Sequence, residues 1–543
     1  MSDTRVSLID GLLARADSDD IMVEVLSPAG GPTLTWTYRQ VIGAARVLAD
    51  DLAVLAARLG RTPRVGLLAE NSAEWVVADL ALLFSGAVEI PVPTAFSAEQ
   101  AASLLAGADA CLVDSRGADK LAQWGSERVL AAGCQVDSVD LPALIAAGAY
   151  RDWGSPRASE AERGGGSPPI ASWDEDAVFK VIHTSGTTSA PKGVMIRRHG
   201  IEALLDSLRR RSTPEIFRRY LSIVPLSLLV EQVTGLYMPF LAGGSVIFLP
   251  PGTALVGTSG DAAPRMLSLL RSARPTAVVL PPTMAALLLS LCVESPDETV
   301  EGRYSRFFGH DGPVFIACGG APVPPEVLTR LKEFGLPLYE GYGLSENSSV
   351  VAWNFPGNVR IGTVGKPLDH VEVKLADDGE LYVRSSSLFA GYTVEDPSSC
   401  AVDEDGWLHT GDLATIDDDG YIRIVGRKKN IIITAGGRNV SPEFVEARYR
   451  QLPFVREAVV LADGLDTVRG LFVVDAARDE EVLRKEITDF GREHLSDVER
   501  VTDIRLMRQD DSGYLTCFTV TGRPKRQAVR DLLLTQAPIE EHA

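Results

Sequence analysis

A chain of 543 residues with 45% hydrophobic side chains can bury a large core and has room for more than one domain. Its formal charge of −20 argues against a generally nucleic-acid-binding surface, so an anionic ligand must be held by local positive groups. Six scattered cysteines (Cys111, Cys134, Cys292, Cys318, Cys400, Cys517) include no Cys-x-x-Cys pair, which fits structural thiols in a reduced compartment and not a zinc site or disulfide framework.

The first residues show no basic segment leading into a long apolar one, and the apolar stretch 277–291 is interrupted by Pro281 and Pro282. A soluble, cytoplasmic protein without a membrane span is expected. In chain order, 34–38 reads as a strand followed by an Ala/Leu/Val helix to about residue 60. Residues 64–70 read as a buried strand, 73–85 as a helix and 87–92 as a second strand. That alternation predicts parallel sheet with crossover helices, and it continues less clearly from 129 to 145. Residues 147–172 break the composition, with Gly164-Gly165-Gly166-Ser167-Pro168-Pro169, and predict a solvated loop.

The short apolar run 177–182 predicts a buried strand, and the strand–helix pattern holds over 173–330. From 364 to 425 short strands alternate with turns, and the Asp378-Gly379 and Asp419-Gly420 steps are hairpin signals, so a β-rich subdomain is expected. After Arg427 the pattern restarts as helix 442–452, strands 458–462 and 471–475, helix 480–494 and strand 503–507. The fold class is therefore α/β. A large N-terminal domain over 1–427 holds parallel-rich sheets with helices plus the β-rich subdomain, and a small C-terminal α+β domain covers 428–543.

The strand at 177–182 runs into His183-Thr184-Ser185-Gly186-Thr187-Thr188-Ser189-Ala190-Pro191-Lys192-Gly193. Glycine permits close backbone approach, successive N–H and hydroxyl groups can wrap phosphate oxygens, and Lys192 adds a compact positive charge. The spacing is not the Walker pattern. A surface Ser/Thr/Gly turn would share the composition but not the order Thr-Ser-Gly-Thr-Thr-x-x-Pro-Lys-Gly. That order resembles the phosphate loop of the adenylate-forming superfamily: acyl-CoA synthetases, luciferases and the adenylation domains of peptide synthetases. Further resemblances follow in sequence: Gly319-Gly320-Ala321-Pro322 to the adenine-side loop, Glu340-Gly341-Tyr342-Gly343-Leu344-Ser345-Glu346 to the Tyr-Gly-x-Thr-Glu motif, His409-Thr410-Gly411-Asp412 to the Thr-Gly-Asp motif, and Gly426-Arg427-Lys428-Lys429-Asn430 to the hinge. The likeness covers about residues 20–530.

The resemblance implies attack of an acid on the α-phosphate of ATP with release of pyrophosphate, a reaction catalysed by positioning and charge neutralisation. It implies that Thr184, Ser185, Gly186, Thr187, Thr188 and Lys192 hold the β- and γ-phosphates, and that Glu346, with Thr187, carries Mg²⁺. Tyr342 would lie against the adenine, with Gly320, Ala321 and Pro322 on its other side and Glu340, Gly341, Gly343 and Ser345 completing the nucleotide site. Asp412 would accept from both ribose hydroxyls, and Arg427 would reach ribose or phosphate. Lys429 would be the pivot of a mobile small domain. Gly436 and Gly437 would line an acceptor tunnel for CoA, the second co-substrate. Taken singly, Glu346 could be a solvated helix-start carboxylate, Asp412 a turn cap and Arg427 a surface charge; the order of the motifs favours the functional roles.

The match fails at two places. The family's C-terminal loop reads Thr-x-x-Gly-Lys, but here Thr519-Val520-Thr521-Gly522-Arg523-Pro524-Lys525 puts arginine at the catalytic lysine position. Arg523 replaces the lysine, or Lys525 takes its role by a local shift, or the usual adenylation is altered. Leu228 stands where many relatives have His or Phe, His183 where Tyr or Phe is common, and Ser189 where Gly is common. Leu228 and Leu229 with Met284 make an apolar acid pocket suited to an acyl or aryl acid, although such residues are also ordinary core.

The leading expectation is an ATP-dependent ligase joining a small-molecule fatty or aryl acid to CoA as a thioester. It is most similar to long-chain and medium-chain acyl-CoA synthetases around 345–351 and 362–367. One alternative is a specialised ligase that activates an unusual acid such as nitrite for an amine acceptor. Another is a nucleotide-binding partner protein that has lost catalysis, against which Glu346, Asp412 and Lys192 speak.

Overall fold

The computed structural model describes residues 7–28, 33–149, 176–184, 192–255, 263–320, 323–394, 400–428, 432–433, 439–461, 465, 467–474, 478–497, 499–518 and 524–534. Local chemistry sets the first elements. The Thr37 hydroxyl accepts from the Gln40 N–H while the Gln40 side chain accepts from the Thr37 N–H, a reciprocal cap that starts the helix Tyr38–Leu59. Gly60, at φ 65°, ends it in the left-handed conformation. The helix Ala73–Ser85, capped by Ser72, is buried on nearly every side and packs against Tyr38–Leu59.

Two large sheets carry the fold. The first has the order Gly391–Tyr392, Lys192–Arg197, Val178–Thr184, Val88–Pro91, Arg64–Leu68, Ala110–Val113, Gln135–Ser138. Its strands are parallel from Val178–Thr184 onward and antiparallel on the other edge. The second has the order Lys366–Pro367, Ser349–Trp353, Leu338–Leu344, Phe315–Cys318, Ala277–Leu280, Arg219–Ser222, Ser245–Phe248, Ile21–Val25, Leu34–Thr37. Its six central strands are parallel, and both edges are antiparallel. Antiparallel edges were not legible in the strand–helix alternation, because a short return strand needs no crossover helix.

The β-rich part is a four-stranded antiparallel sheet, Val371–Leu375, Glu380–Ser385, Leu408–Ile416 and Ile422–Arg427. Both expected turns are there, with Gly379 and Gly420 each at φ 83°. From Val440 onward a three-stranded sheet (Val455–Leu461, Val468–Val474, Val501–Met507) packs with helices Pro442–Tyr449, Glu480–His494 and Arg526–Leu534 into two hydrophobic clusters of its own. It touches the preceding residues through the Ser441 hydroxyl, which donates to the Val425 carbonyl at 2.9 Å, and through Arg448 and Gln451, both bonded to Glu326.

Beneath the first sheet lies a buried ionic cluster. The Lys180 ammonium binds Asp79 and Glu89, and the Tyr237 hydroxyl donates to Asp79 at 3.0 Å. Burial pushes the Glu89 carboxyl well up. Among the described residues, no helix is long and apolar enough to cross a membrane.

Candidate active site

Ligands of parallel sheets collect beyond the carboxyl ends of the strands. Here Val178–Thr184 ends at the phosphate-loop motif, Phe315–Cys318 ends at Gly319-Gly320, and Leu338–Leu344 ends at Ser345-Glu346. Thr184 and Lys192 are register partners on adjacent antiparallel strands, so the two ends of the phosphate-loop motif are held side by side. The loop's Ser185, Gly186, Thr187 and Thr188 lie outside the described residues.

Glu346 joins the two sheets. It sits in the short turn Ser345–Asn347, is 8% exposed, and accepts from the Tyr392 hydroxyl at 2.7 Å through Oε1. Tyr392 belongs to the strand beside Lys192–Arg197, and the Phe389 N–H also donates to the Glu346 carbonyl. The chain leaves Glu346 through Ser348 at φ 52° and Ser349 at φ 106°, conformations that cost serine energy. The Ser348 hydroxyl, donating to the Ser387 carbonyl at 2.6 Å, helps to hold them. Gly343 has no alternative here: a Cβ would lie 1.8 Å from the Ser349 carbonyl oxygen.

The second group is built on the β-rich sheet. Asp412 and Arg427 face each other across neighbouring strands and form an ion pair, Arg427 Nε lying 2.7 Å from Asp412 Oδ1. The Tyr342 hydroxyl donates to Asp412 Oδ2 at 2.5 Å. Asp412 is 3% exposed; burial raises its carboxyl pKa, opposed by Arg427 and Tyr342. The resemblance gives both Asp412 oxygens to ribose hydroxyls; each also has a protein partner, and a carboxylate oxygen can accept more than one bond. The Gly411 N–H and the Lys428 ammonium both bond to Glu380, which fixes the turn before Asp412. Tyr342, Asp412 and Arg427, far apart in sequence, thus form one cluster, with Glu346 close enough to act on it electrostatically.

Glu340 braces the adenine-side loop by accepting from the Val323 N–H at 3.1 Å; burial pushes its carboxyl up to about 7. Gly320 takes φ 79° and Gly341 lies against the Trp353 ring, while Ala321 and Pro322 are outside the described residues. So are Lys429, Gly436, Gly437 and Arg523. The Lys525 N–H donates to the Cys517 carbonyl at 2.7 Å, and Arg526 makes two 2.9 Å bonds to buried Glu446. His183 is largely buried, and its Nδ1 has no partner among the described residues; burial lowers its pKa to about 4, with Arg64 adding to the effect.

Of the three acid-pocket candidates only Leu228 is exposed, at 43%. Leu229 and Met284 pack inside the two main cores. The segment carrying Leu228 follows the strand Arg219–Ser222 and is tied down by Asn71 and Glu231. Burial pushes the Glu231 carboxyl up to about 7. Tyr392, Glu380, Asn71 and Glu231 were missed in the sequence. For Glu231 a signal was available: an acid inside the apolar run Leu228-Leu229-Val230-Glu231-Gln232-Val233 marks a buried carboxyl.

The family model for "AMP-binding enzyme" matches residues 15–393, more than half of the chain. The chain belongs to the AMP-binding enzyme family. It is an ATP-dependent adenylate-forming ligase, as the motif order led one to expect. The long-chain-fatty-acid–CoA ligase FadD15 of Mycobacterium bovis is 28% identical to this AMP-binding enzyme over 81% of the chain and 78% of the relative. The long-chain-fatty-acid–CoA ligase ACSBG2 of Xenopus laevis is 26% identical over 89% and 72%. Among solved structures, the anthranilate CoA ligase AuaEII in complex with anthranoyl-AMP is similar in fold, with TM-score 0.76, 22% identity and 97% of each chain covered. Asp412 and Arg427 lie beyond the matched residues, so their assignment rests on the geometry above.

Proposed function

We propose that this enzyme activates a fatty or aryl carboxylic acid as its adenylate and passes the acyl group to CoA. The observation that carries the reading is the convergence of Tyr342, Asp412 and Arg427 with Glu346 at the shared carboxyl edge of the sheets. The fatty-acid ligase relatives support the acid class and CoA as acceptor.

Mg²⁺ fits the residues present. Glu346 is a hard oxygen donor, and Tyr392 bonds to it only through Oε1. No group of three or more His, Cys, Asp and Glu suited to a metal occurs among the described residues, as expected of an ion held by one carboxylate together with phosphates and waters. Bound there, Mg²⁺ would neutralise charge growing on the phosphates. In the first step a carboxylate oxygen of the acid attacks the α-phosphorus, the bond to the bridging oxygen breaks, and pyrophosphate leaves with that electron pair. In the second, the CoA thiol gives its proton to water, its sulfur bonds to the acyl carbon, and the bond from that carbon to the phosphate oxygen breaks, AMP leaving with the electron pair.

Asp412 and Arg427 orient the ribose, Tyr342 presents its ring to the adenine, and Thr184 to Lys192 enclose the outer phosphates. Gly320 gives the adenine close backbone approach, while Gly341 and Gly343 let their strand pass Trp353 and Ser349. Leu228 faces the acid. We assign the large domain to 1–427 and the smaller one to 428–543, with Lys429 as the pivot. The smaller domain brings Arg523 or Lys525 to the α-phosphate and, after rotation, Gly436 and Gly437 to the CoA arm.

The test is pyrophosphate release by the purified chain with ATP, Mg²⁺ and a panel of fatty and aryl acids, followed by mass-spectrometric detection of the CoA thioester. Release that is independent of any carboxylic acid, or an adenylate that never transfers to CoA, would overturn the reading.

A further inference from the structure

Glu231 is 0% exposed, and among the described residues no Lys or Arg pairs with it. A buried carboxyl without a cation is costly, and a residue serving only to fill space there would be apolar. Its two oxygens are instead bonded to one strand: the Ser222 hydroxyl donates to Oε1 at 2.6 Å and the Tyr220 hydroxyl to Oε2 at 2.8 Å. Ser222 is shared with a second anchor. The Asn71 amide donates to the Ser222 hydroxyl at 2.9 Å and to the Val224 carbonyl at 2.7 Å, and Asn71 Oδ1 accepts from the Leu226 N–H at 2.9 Å. The Gln232 amide donates to the Leu226 carbonyl at 2.8 Å. The stretch 222–226 is therefore held by the buried side chains of Glu231 and Gln232 and by half-buried Asn71.

Leu228, just beyond that stretch, is exposed. Its carbonyl accepts from the N–H of Glu231 at 3.0 Å, so any movement of residue 231 reaches it through the turn. The helix then widens into a π-turn over Gln232–Tyr237, an irregularity often found beside functional sites. Gly235 in that turn makes the arrangement possible. A Cβ there would lie 2.8 Å from the Tyr220 ring and 3.3 Å from Glu231 Oε1. A side chain at 235 would push the two bonded partners apart.

We propose that Glu231 is a positioning residue for the acid substrate, holding the stretch 222–226 so that Leu228 presents a fixed wall to it. The proposal rests on the reading that Leu228 faces the acid. It predicts that the Glu231 network sets acid selectivity and leaves ATP binding alone.

The test compares wild type with Glu231→Met, Ser222→Ala and Glu231→Gln, measuring KM for ATP, and kcat/KM for a long-chain fatty acid and for benzoate, by pyrophosphate release. Glu231→Met and Ser222→Ala are expected to change the ratio of kcat/KM between the two acids about tenfold, the order of one misfitted apolar group, with KM for ATP within about twofold. Glu231→Gln keeps the shape and the hydrogen-bonding capacity and is expected to hold the wild-type ratio within about threefold. Ser222→Ala serves where Glu231→Met does not fold by circular dichroism and gel filtration. An unchanged ratio in a folded variant, parallel loss of acid and ATP affinity, or Glu231→Gln as damaging as Glu231→Met would overturn the inference while the proposed function stands. Wild type without acid-dependent pyrophosphate release would overturn both.

Discussion

Replacing Asp412 with Ala should raise KM for ATP about a hundredfold and leave kcat nearly unchanged. The carboxylate is 3% exposed, ion-paired with Arg427 at 2.7 Å and bonded by the Tyr342 hydroxyl at 2.5 Å. Hydrogen bonds to a charged group contribute about 1.5–3 kcal/mol each. The ribose hydroxyls proposed to meet Asp412 are neutral donors, so the lower end of that range applies. Two proposed bonds from Asp412 to the ribose hydroxyls, at that end, give about 3 kcal/mol, or about two decades in affinity at 1.4 kcal/mol per decade. The loss falls on KM because a ribose clamp acts on the ground and transition states alike. Asp412→Asn keeps one acceptor oxygen for the ribose, so an intermediate increase of about tenfold is expected. Initial rates of pyrophosphate release across ATP concentrations, with a thermal melt of each variant, measure this. An Asp412→Ala enzyme that keeps its KM for ATP, or loses kcat instead, would refute the assignment.

Glu340 should make stability pH-dependent. Its folded pKa is about 7 against an ordinary 4.5, so between those values the folded state keeps a proton that the unfolded state releases, and stability falls as pH rises. Glu340→Gln should therefore gain on wild type between pH about 5 and 7.5, up to about 3 kcal/mol in urea melts, provided the bond from the Val323 N–H survives. Tyr392→Phe removes the donor on Glu346 Oε1 and should raise the Mg²⁺ concentration for half-maximal rate about tenfold, read from a Mg²⁺ titration of pyrophosphate release. Lys180→Met strands the Asp79 and Glu89 carboxyls in the core and should cost about 3–5 kcal/mol of stability in denaturant melts, without a selective change in either KM. Arg523→Ala should abolish adenylate formation while ATP still binds, and Lys525→Ala should have little effect; the reverse pattern would show by mass spectrometry that the bridging cation stands two residues on.

The sequence was most informative where one local rule decides the outcome. The helices Ala73–Ser85 and Glu480–His494 begin after capping side chains, Ser72 and Asp479, and their limits agree with the reading. Hairpins at Gly379 and Gly420 follow from Asp-Gly chemistry. The antiparallel edges were hidden because neighbours such as Gly391–Tyr392 and Lys192–Arg197 are distant in sequence. The same reason hid Tyr392: nothing near it announces a bond to Glu346. Leu229 and Met284 show the limit of apolarity, which alone cannot distinguish a pocket wall from a core; both are buried in the hydrophobic clusters.

Charge makes the remaining parts of the proposed site interdependent. Glu346, Asp412, Glu340 and Glu231 are all buried, in a chain of net charge −20, near where a triphosphate is to bind. Glu231 and Glu340, pushed up to about 7, carry a part-occupied proton at neutral pH, which relieves some of the repulsion. Asp412 has Arg427, but that ion pair contributes no net positive charge. ATP therefore needs cations beyond those of the cluster. Under the proposed function Lys192 at the loop end and Mg²⁺ at Glu346 serve the outer phosphates, which leaves the place between the acid oxygen and the α-phosphate to a further cation. That requirement falls on the segment 519–525, where the family's lysine is replaced by Arg523 with Lys525 two residues on. Arginine is never deprotonated at neutral pH and is the more weakly hydrated cation, so it can do this work in a dry site. Its planar fork, however, needs a wider approach to the α-phosphate than an ammonium does. A site that accepts it must be shaped differently from one built for lysine, and under the proposed function the departures at Leu228 and Arg523 both bear on how the acid is held.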